Sequence, residues 1–451
     1  MKRIRTATTI LLISVITSLS AQDTGMPLSL EESCRLGIRR NVTVQNAELE
    51  QQKARYRLKE TRSHLYPQLE AYSDFSYYYA IPKLIIPGEI FGQTGLIPVE
   101  IGTKFDWSSG LKATQILYNR SYFTSLQLAR RMETLSELDL QQKKEEVIFQ
   151  VSQLYYLCLA TNEQIAQLNA TIGNMERLLE IAKLQRDNDL IRKTDYSRIL
   201  VNKNNLQTQA DNLNELYARQ LDLLKYVIGI PLETEVTLSD SLSFSSSAVF
   251  PVGILLEQPG LTDRTELRLL DKQIEMTALN RKMTRQSYLP TLSGFGQLYY
   301  QGQRNEFDFF KGGDDKFYKV GLVGISLSIP LFDGFEKRSK TKQYDLELMQ
   351  LQNTREHALT GFLMEYTDAR RQYYTSYTAM VRQQENIELA EETYDVSLQG
   401  YRQQVISLSD LLLSENSLTE ARLSYYNALV QLKNAELEVK KAKGELRITN
   451  E

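Results

Sequence analysis

The chain holds few of the side chains that usually ligate metals or attack substrates: two histidines and two cysteines. His64 and His357 are far apart in sequence, and neither has a partner at metal-ligand spacing, so no zinc or catalytic set is expected. Gly312-Gly313 is not part of a phosphate-cradling motif. Cys34 and Cys158 leave two readings open. An exported chain permits a disulfide, whereas the register of Cys158 with its apolar neighbours favours buried free thiols acting as small apolar residues. Two acids stand out by position. Asp195 and Asp410 each follow a hydroxyl residue, Thr194 and Ser409, at the expected start of a helix. There the helix dipole stabilises negative charge and the hydroxyls are natural caps. The chemistry on offer is electrostatic, with no cofactor and no enzyme implied.

Such residues need elements to position them, and those elements occur twice. Ser63-His64-Leu65-Tyr66-Pro67-Gln68-Leu69 leads into one strand-like segment, and Ser287-Tyr288-Leu289-Pro290-Thr291-Leu292 leads into another. Gln115-Ile116-Leu117-Tyr118-Asn119 matches Ile329-Pro330-Leu331-Phe332-Asp333, and Leu190–Asp195 matches Val405–Asp410. The spacing between matched positions changes appreciably only between the two strands of a copy, so the copies differ mainly in one loop. The two repeats cover about 28–237 and 253–446, and a Ser-rich link joins them.

Met1-Lys2-Arg3-Ile4-Arg5, the apolar run centred on Ile10–Ile16, and the small residues at Ser18–Ala21 form the three regions of a cleaved signal peptide, residues 1–21. Cleavage fits after Ser20 or after Ala21. Beyond it no uninterrupted apolar stretch is long enough for a membrane helix. A formal net charge of −3 without a basic stripe excludes a nucleic-acid partner. Hydrophobic residues at 42% argue against disorder.

From Leu69 the first strand alternates Leu69, Ala71, Phe75, Tyr77 and Tyr79 against Glu70, Tyr72, Asp74, Ser76 and Tyr78. The second sets Phe105, Trp107, Leu111 and Ala113 against Asp106, Ser108, Lys112 and Thr114. In the second copy Leu292, Gly294, Gly296, Leu298 and Tyr300 take the apolar positions, and Val323, Ile325, Leu327 and Ile329 oppose Ser326 and Ser328. Period-two alternation with aromatics near the ends is the pattern of a barrel strand with lipid outside and water inside. Four strands cannot close alone without leaving backbone groups unpaired in lipid, so the chain must oligomerise. The segments from Ala80 to Thr103 and from Gln301 to Lys316 are expected as external loops.

Between Asn119 and about Arg186 there is no proline. From Val147 a strict heptad runs through Val151, Leu154, Cys158, Thr161, Ile165, Leu168, Ile172, Met175, Leu179 and Ala182. Apolar residues off that seam, such as Ile148, Tyr155, Leu157 and Leu178, imply packing on both sides. The second copy repeats the run from Gly334 toward Leu398, with Phe362, Tyr366, Ala369, Tyr373, Tyr377 and Met380 at helical spacing. Each long helix turns at a polar tip, around Arg186–Thr194 and Gln399–Ser407, and returns.

With the two Pro-x-Leu strand entries, the segment Ile329-Pro330-Leu331-Phe332-Asp333-Gly334 and the two helix returns ending in Asp195 and Asp410, the mature chain resembles the TolC family of outer-membrane efflux and secretion channels nearly end to end. The resemblance implies an α+β membrane protein in which residues 22–451 form a single channel protomer. Long α-helical hairpins would form a periplasmic tunnel, and four strands per chain would enter a shared twelve-stranded trimeric β-barrel in outer-membrane lipid. Such a homotrimer passively conducts substrates delivered by an inner-membrane transporter and a periplasmic adaptor, in a tripartite efflux pump or a type I secretion system. Asp195 resembles the family's tip aspartate that bonds a tyrosine on the neighbouring hairpin in the closed state, and Tyr401 resembles that tyrosine. Asp410 resembles the first of two aspartates that ring the entrance. The second ring position is Leu413, so the ring is incomplete, and the family's tip arginine falls on Ile406. The alternative is a periplasmic coiled-coil adaptor of the same machinery. That protein should have one hairpin and a lipoyl-like or barrel domain, whereas this chain has two hairpins and membrane-type strands.

Overall fold

A computed structural model describes residues 26–92, 94–242, 260–311 and 317–446. The expected signal peptide and most of the Ser-rich link lie outside them. In chain order the elements are β1 (Met26–Leu28), α1 (Leu30–Arg40), α2 (Val42–Ser63), β2 (Gln68–Tyr77), β3 (Lys83–Pro87), β4 (Leu96–Glu100), β5 (Phe105–Tyr118), α3 (Arg120–Asp187) and α4 (Lys193–Ile228). There follow β6 (Val236–Leu238), α5 (Thr265–Gln286), β7 (Thr291–Arg304), β8 (Tyr318–Ser328), α6 (Glu336–Arg402) and α7 (Leu408–Lys443). Helices recur at matching lengths: α2 and α5 both have 22 residues, α3 and α6 have 68 and 67, and α4 and α7 both have 36.

At 1.5 Å rise per residue, α3 and α6 each extend roughly 100 Å. Both begin where a side chain takes over a backbone donor. Asn119 accepts from the Tyr122 amide at 3.0 Å, and Asp333 accepts from the Lys337 amide at 3.2 Å. Most positions expected to face inward do so: Val147, Val151, Cys158, Thr161, Ile165, Leu168, Ile172, Met175 and Ala182 are buried, as are Tyr366, Ala369, Tyr373 and Met380, whereas Leu154, Leu179, Phe362 and Tyr377 are half-buried and Leu157 is exposed. α3 packs on α1, α2, α4, α5 and α7, the many-sided packing that the wide apolar face requires.

The core has two parts. The larger gathers Leu28, Val44, Val151, Tyr155, Cys158, Ile228, Met380 and Leu429 where α1 to α4, α6 and α7 come together. There the Tyr155 hydroxyl donates to the Leu28 carbonyl or the Asp240 carboxylate, at 2.8 and 2.9 Å, and Asp240 also accepts from the Leu30 amide. One residue is thus tied to both ends of the first copy, beside the parallel pairing of β1 with β6. In the second copy Arg264, 1% exposed, lies between Glu365 at 2.7 Å and Glu266 at 2.9 Å and stacks on Phe362. The smaller part of the core lies near the turns of the long hairpins: Leu168, Ile172, Met175, Ile199, Leu206, Leu408 and Leu412.

β2, β5, β7 and β8 form one antiparallel sheet in that order, so β2 and β8 are edges with one side unpaired. The segment between β2 and β5, expected as a plain loop, is a second hairpin: β3 pairs with β4 from Lys83↔Glu100 to Pro87↔Leu96. Its β-branched residues Ile85, Ile86, Ile97 and Val99 favour strand, which the prolines and glycines around them obscured. Both cysteines are free and buried. Both histidines are exposed, His64 ending α2 and His357 midway along α6.

Candidate functional site: a two-faced sheet and a paired helical tip

The pairing register fixes what each sheet face presents. Leu69↔Ala113, Ala113↔Gly296 and Gly296↔Val323 form one row across all four strands, and Ala71, Leu111, Leu298 and Gly321 form the next. Further along, Phe75↔Trp107 and Tyr77↔Phe105 stand on the same face. The opposite face carries Glu70, Lys112 and Gln297 in one row and Asp74, Ser108 and Gln301 in another. There the Asp106 carboxylate accepts from the Gln301 amide at 3.0 Å and the Gln303 amide at 3.2 Å. An apolar face backed by a more polar one, which also holds Tyr72, Phe295, Tyr299 and Leu322, lies on strands of 10 to 14 residues, a length that suits a bilayer-crossing barrel wall.

At the end of the sheet away from the helices the apolar face gains an aromatic pad. Phe75 stacks on Phe105 with centroids 6.1 Å apart and meets Trp107, Phe307 and Phe309 edge to face. Phe310 and Phe317 close on Trp107. At the helix-side end Tyr66, Tyr118, Tyr288 and Phe332 are exposed. Two aromatic bands bounding an apolar belt are what a barrel places at the two membrane interfaces. None of the described helices is long and apolar enough to cross a membrane.

The other end of the molecule is the pair of helical turns. Both use the same Schellman closure. Asp189 and Gln404 adopt left-handed backbone at φ 58° and 61°, the Leu190 amide donates to the Gln185 carbonyl, and the Val405 amide donates to the Gly400 carbonyl, each at 2.8 Å. Ile406 packs closely over Gly400, where a Cβ would stand 2.6 Å from Ile406 Cδ1.

The three tip residues singled out by sequence lie near the helical turns in different settings. Tyr401 is half-buried against the tip cluster of Ile199 and Leu408. Its phenol is pushed up by burial first and by the Asp195 carboxylate second, although no hydrogen bond joins them among the described residues. Asp195 lies in the first turn of α4. Asp410 is exposed and lines a groove between α6 and α7 with Leu413, Ser414 and Ser417.

The caps differ from expectation. Thr194 and Ser409 lie inside their helices. α4 starts after Arg192 without a side-chain cap, and α7 is capped by Ser407, whose hydroxyl accepts from the Asp410 amide at 3.2 Å and donates to its carboxylate at 2.7 Å. The signal for this was Ser407-Leu408-Ser409-Asp410, a capping-box spacing with Asp in place of Glu that starts two residues earlier. Freed from capping, Ser409 accepts from Arg198 Nη1 at 2.8 Å, which clasps the first hairpin to the second. Only the fold brings that pair together.

The protein thus joins a two-faced sheet with an unpaired strand at each edge to helical hairpins of about 100 Å. The family model of outer membrane efflux proteins matches residues 261–445. The chain is similar to outer membrane protein TolC of Escherichia coli (strain K12), 21% identical over 405 residues that cover 86% of this chain and 77% of that one. Its fold is similar to that of CusC, with a TM-score of 0.73 at 14% identity over 96% of this chain and 95% of that one. It is likewise similar to the Campylobacter jejuni CmeC outer membrane channel, with a TM-score of 0.71 at 17% identity over 94% and 87%. The chain is thus similar in sequence to TolC proteins over most of its length, and in fold to solved outer-membrane channels.

Proposed function

We propose that three copies close their sheets edge to edge into one twelve-stranded barrel, and their hairpins into a tunnel leading inward from it. The single observation that carries this reading is the sheet itself, with one apolar face, one polar face and two unpaired edges at β2 and β8. Unpaired backbone in lipid costs several kcal/mol per group, on the order of the value for a buried unpartnered amide, so the edges demand pairing. Residues 22–451 then act as one protomer of two repeats. Its trimer is a passive conduit that receives substrate from an inner-membrane transporter through a periplasmic adaptor, in an efflux pump or a type I secretion system. Asp195 and Tyr401 hold the inner entrance narrow, and Asp410 places negative charge beside it.

Reconstitution of the purified trimer into a planar bilayer tests this. Conductance that tracks the trimer is expected, with a higher resting level in Tyr401→Phe. No current from either protein would overturn the conduit, and an unchanged resting level in a conducting Tyr401→Phe trimer would return the tip pair to a role in ending helices. Recovery of the protein in the soluble periplasmic fraction would instead favour an adaptor.

A further inference from the structure

Two turns into α7, just inside the Arg198–Ser409 clasp, Glu415 is 2% exposed. It meets two other helices. Tyr394 of α6 and Thr171 of α3, itself buried, bring their hydroxyls to act on its carboxyl. The second carboxyl oxygen, Oε2, is buried and has no partner among the described residues. One turn on, Thr419 Oγ1 is also buried without a partner.

The charged and titratable groups acting on the carboxyl are Tyr394 from α6 and Arg422 from its own helix, and α3 supplies the hydroxyl of Thr171. Arg422 is already engaged by Glu391 of α6 at 2.7 Å. The Tyr394 phenol, pushed up to about 12 by burial and then by Glu415, remains a donor. Leu168 and Ile172 of α3 and Leu412 of α7 are buried in the cluster around the same turns.

A carboxylate held here keeps two donors and loses its water on the other side, whereas a carboxylic acid has a proton to place on the unsatisfied side. An apolar residue would fill the seam at no such cost. Burial accordingly pushes the Glu415 carboxyl up from its ordinary value, with Tyr394, Arg422 and Thr171 only partly offsetting it.

We propose that Glu415 is a protonation-controlled latch: neutral, it holds α7 against α3 and α6 and keeps the tip closed; ionised, it favours separation of α7 from α3. The inference rests on the reading of the tip as the channel's inner gate. On opening, the proton leaves to bulk water and the carboxylate is hydrated. The closed tip binds the proton more tightly than the open one, so acid favours closure. Closure weakens as pH rises from the ordinary carboxylate value through the raised one, and the bias is constant above that.

Single-channel recording of the trimer between about pH 4.5 and 7.5, a range chosen to bracket the ordinary carboxylate value and neutrality, tests the latch. The wild-type open fraction is expected to fall on acidification, and Glu415→Gln to stay low across the whole range. A Gln variant that keeps the wild-type pH profile overturns the proposal. Tyr394→Phe removes a donor to the carboxylate and should move the midpoint to higher pH, which a merely structural role would not do. If Glu415→Gln does not assemble, the Tyr394→Phe midpoint decides, and an unshifted one overturns the latch. A wild-type trimer that conducts at no pH would overturn the channel reading instead.

Discussion

At the scale of single residues, environment decides what each reactive group does. Cys158 sits at 0% exposure on the inner face of α3, and burial pushes its thiol up to about 12. Burial also raises the Cys34 thiol, against a weaker opposing contact with Ser152. A thiol must ionise to react, so neither should be alkylated by a maleimide at pH 8 in the folded protein. Both should be labelled after denaturation without reductant, read as two added masses; fewer than two would mean that the cysteines are bonded. Gly229 makes a second residue-scale case. It ends α4 at φ +81°, and a Cβ there would stand 2.6 Å from the Arg40 carbonyl oxygen. Gly229→Ala should lower stability by about 1–3 kcal/mol, read as a lower temperature of unfolding. Asn tolerates left-handed backbone but carries the same Cβ, so Gly229→Asn should rescue little. Full rescue by Asn would show that backbone conformation, rather than the Arg40 contact, sets the cost.

At the scale of elements, the aromatic pad makes the membrane assignment measurable. Trp107 is the chain's one tryptophan, so its fluorescence reports a single place. It stands on the apolar face within reach of Phe309, Phe310 and Phe317. In vesicles of brominated lipids its emission should be quenched most by bromines near the glycerol end of the chains and less by those near the bilayer centre, the order expected for an interfacial band. Quenching by aqueous iodide alone would turn that face toward water. The strands and long helices were legible in sequence because period two and heptad spacing are local and survive sequence divergence. Leu69 to Phe75 and Val147 to Ala182 each state a face without needing a partner. The β3–β4 hairpin was not legible, since its prolines and glycines signal a loop and only cross-strand pairing makes it a strand. At the tips the acids were visible and their surroundings were not. Ser407, rather than Ser409, caps α7; the Arg198–Ser409 clasp spans two hairpins; and Glu415 sits among apolar neighbours whose enclosure exists only once three helices meet.

At the scale of the whole molecule, the unpaired edges decide whether one chain or several make the wall. β2 and β8 lie at opposite ends of the four-stranded order, so closure by identical copies must place β8 of one against β2 of the next. Neighbouring strands lie about 4.8 Å apart, and facing Cβ atoms at about 4.5–5.5 Å are near enough for a disulfide after small adjustment. One cysteine at Ile325 of β8, combined in turn with single cysteines along β2 from Leu69 to Phe75, should therefore cross-link between copies on mild oxidation. The yield should peak where the partner shares a face with Ile325 and drop at the alternate positions, because a step of one residue turns the side chain to the other face. The buried native cysteines should add little background. A non-reducing gel of the membrane fraction reads the outcome as a ladder ending at three linked chains. A trimer that links at none of these positions would mean that its strands close by some other pairing. A ladder continuing past three would mean that the edges join in an open series instead of a closed ring, which the unpaired edges of a single sheet permit and the alternation of its faces does not forbid.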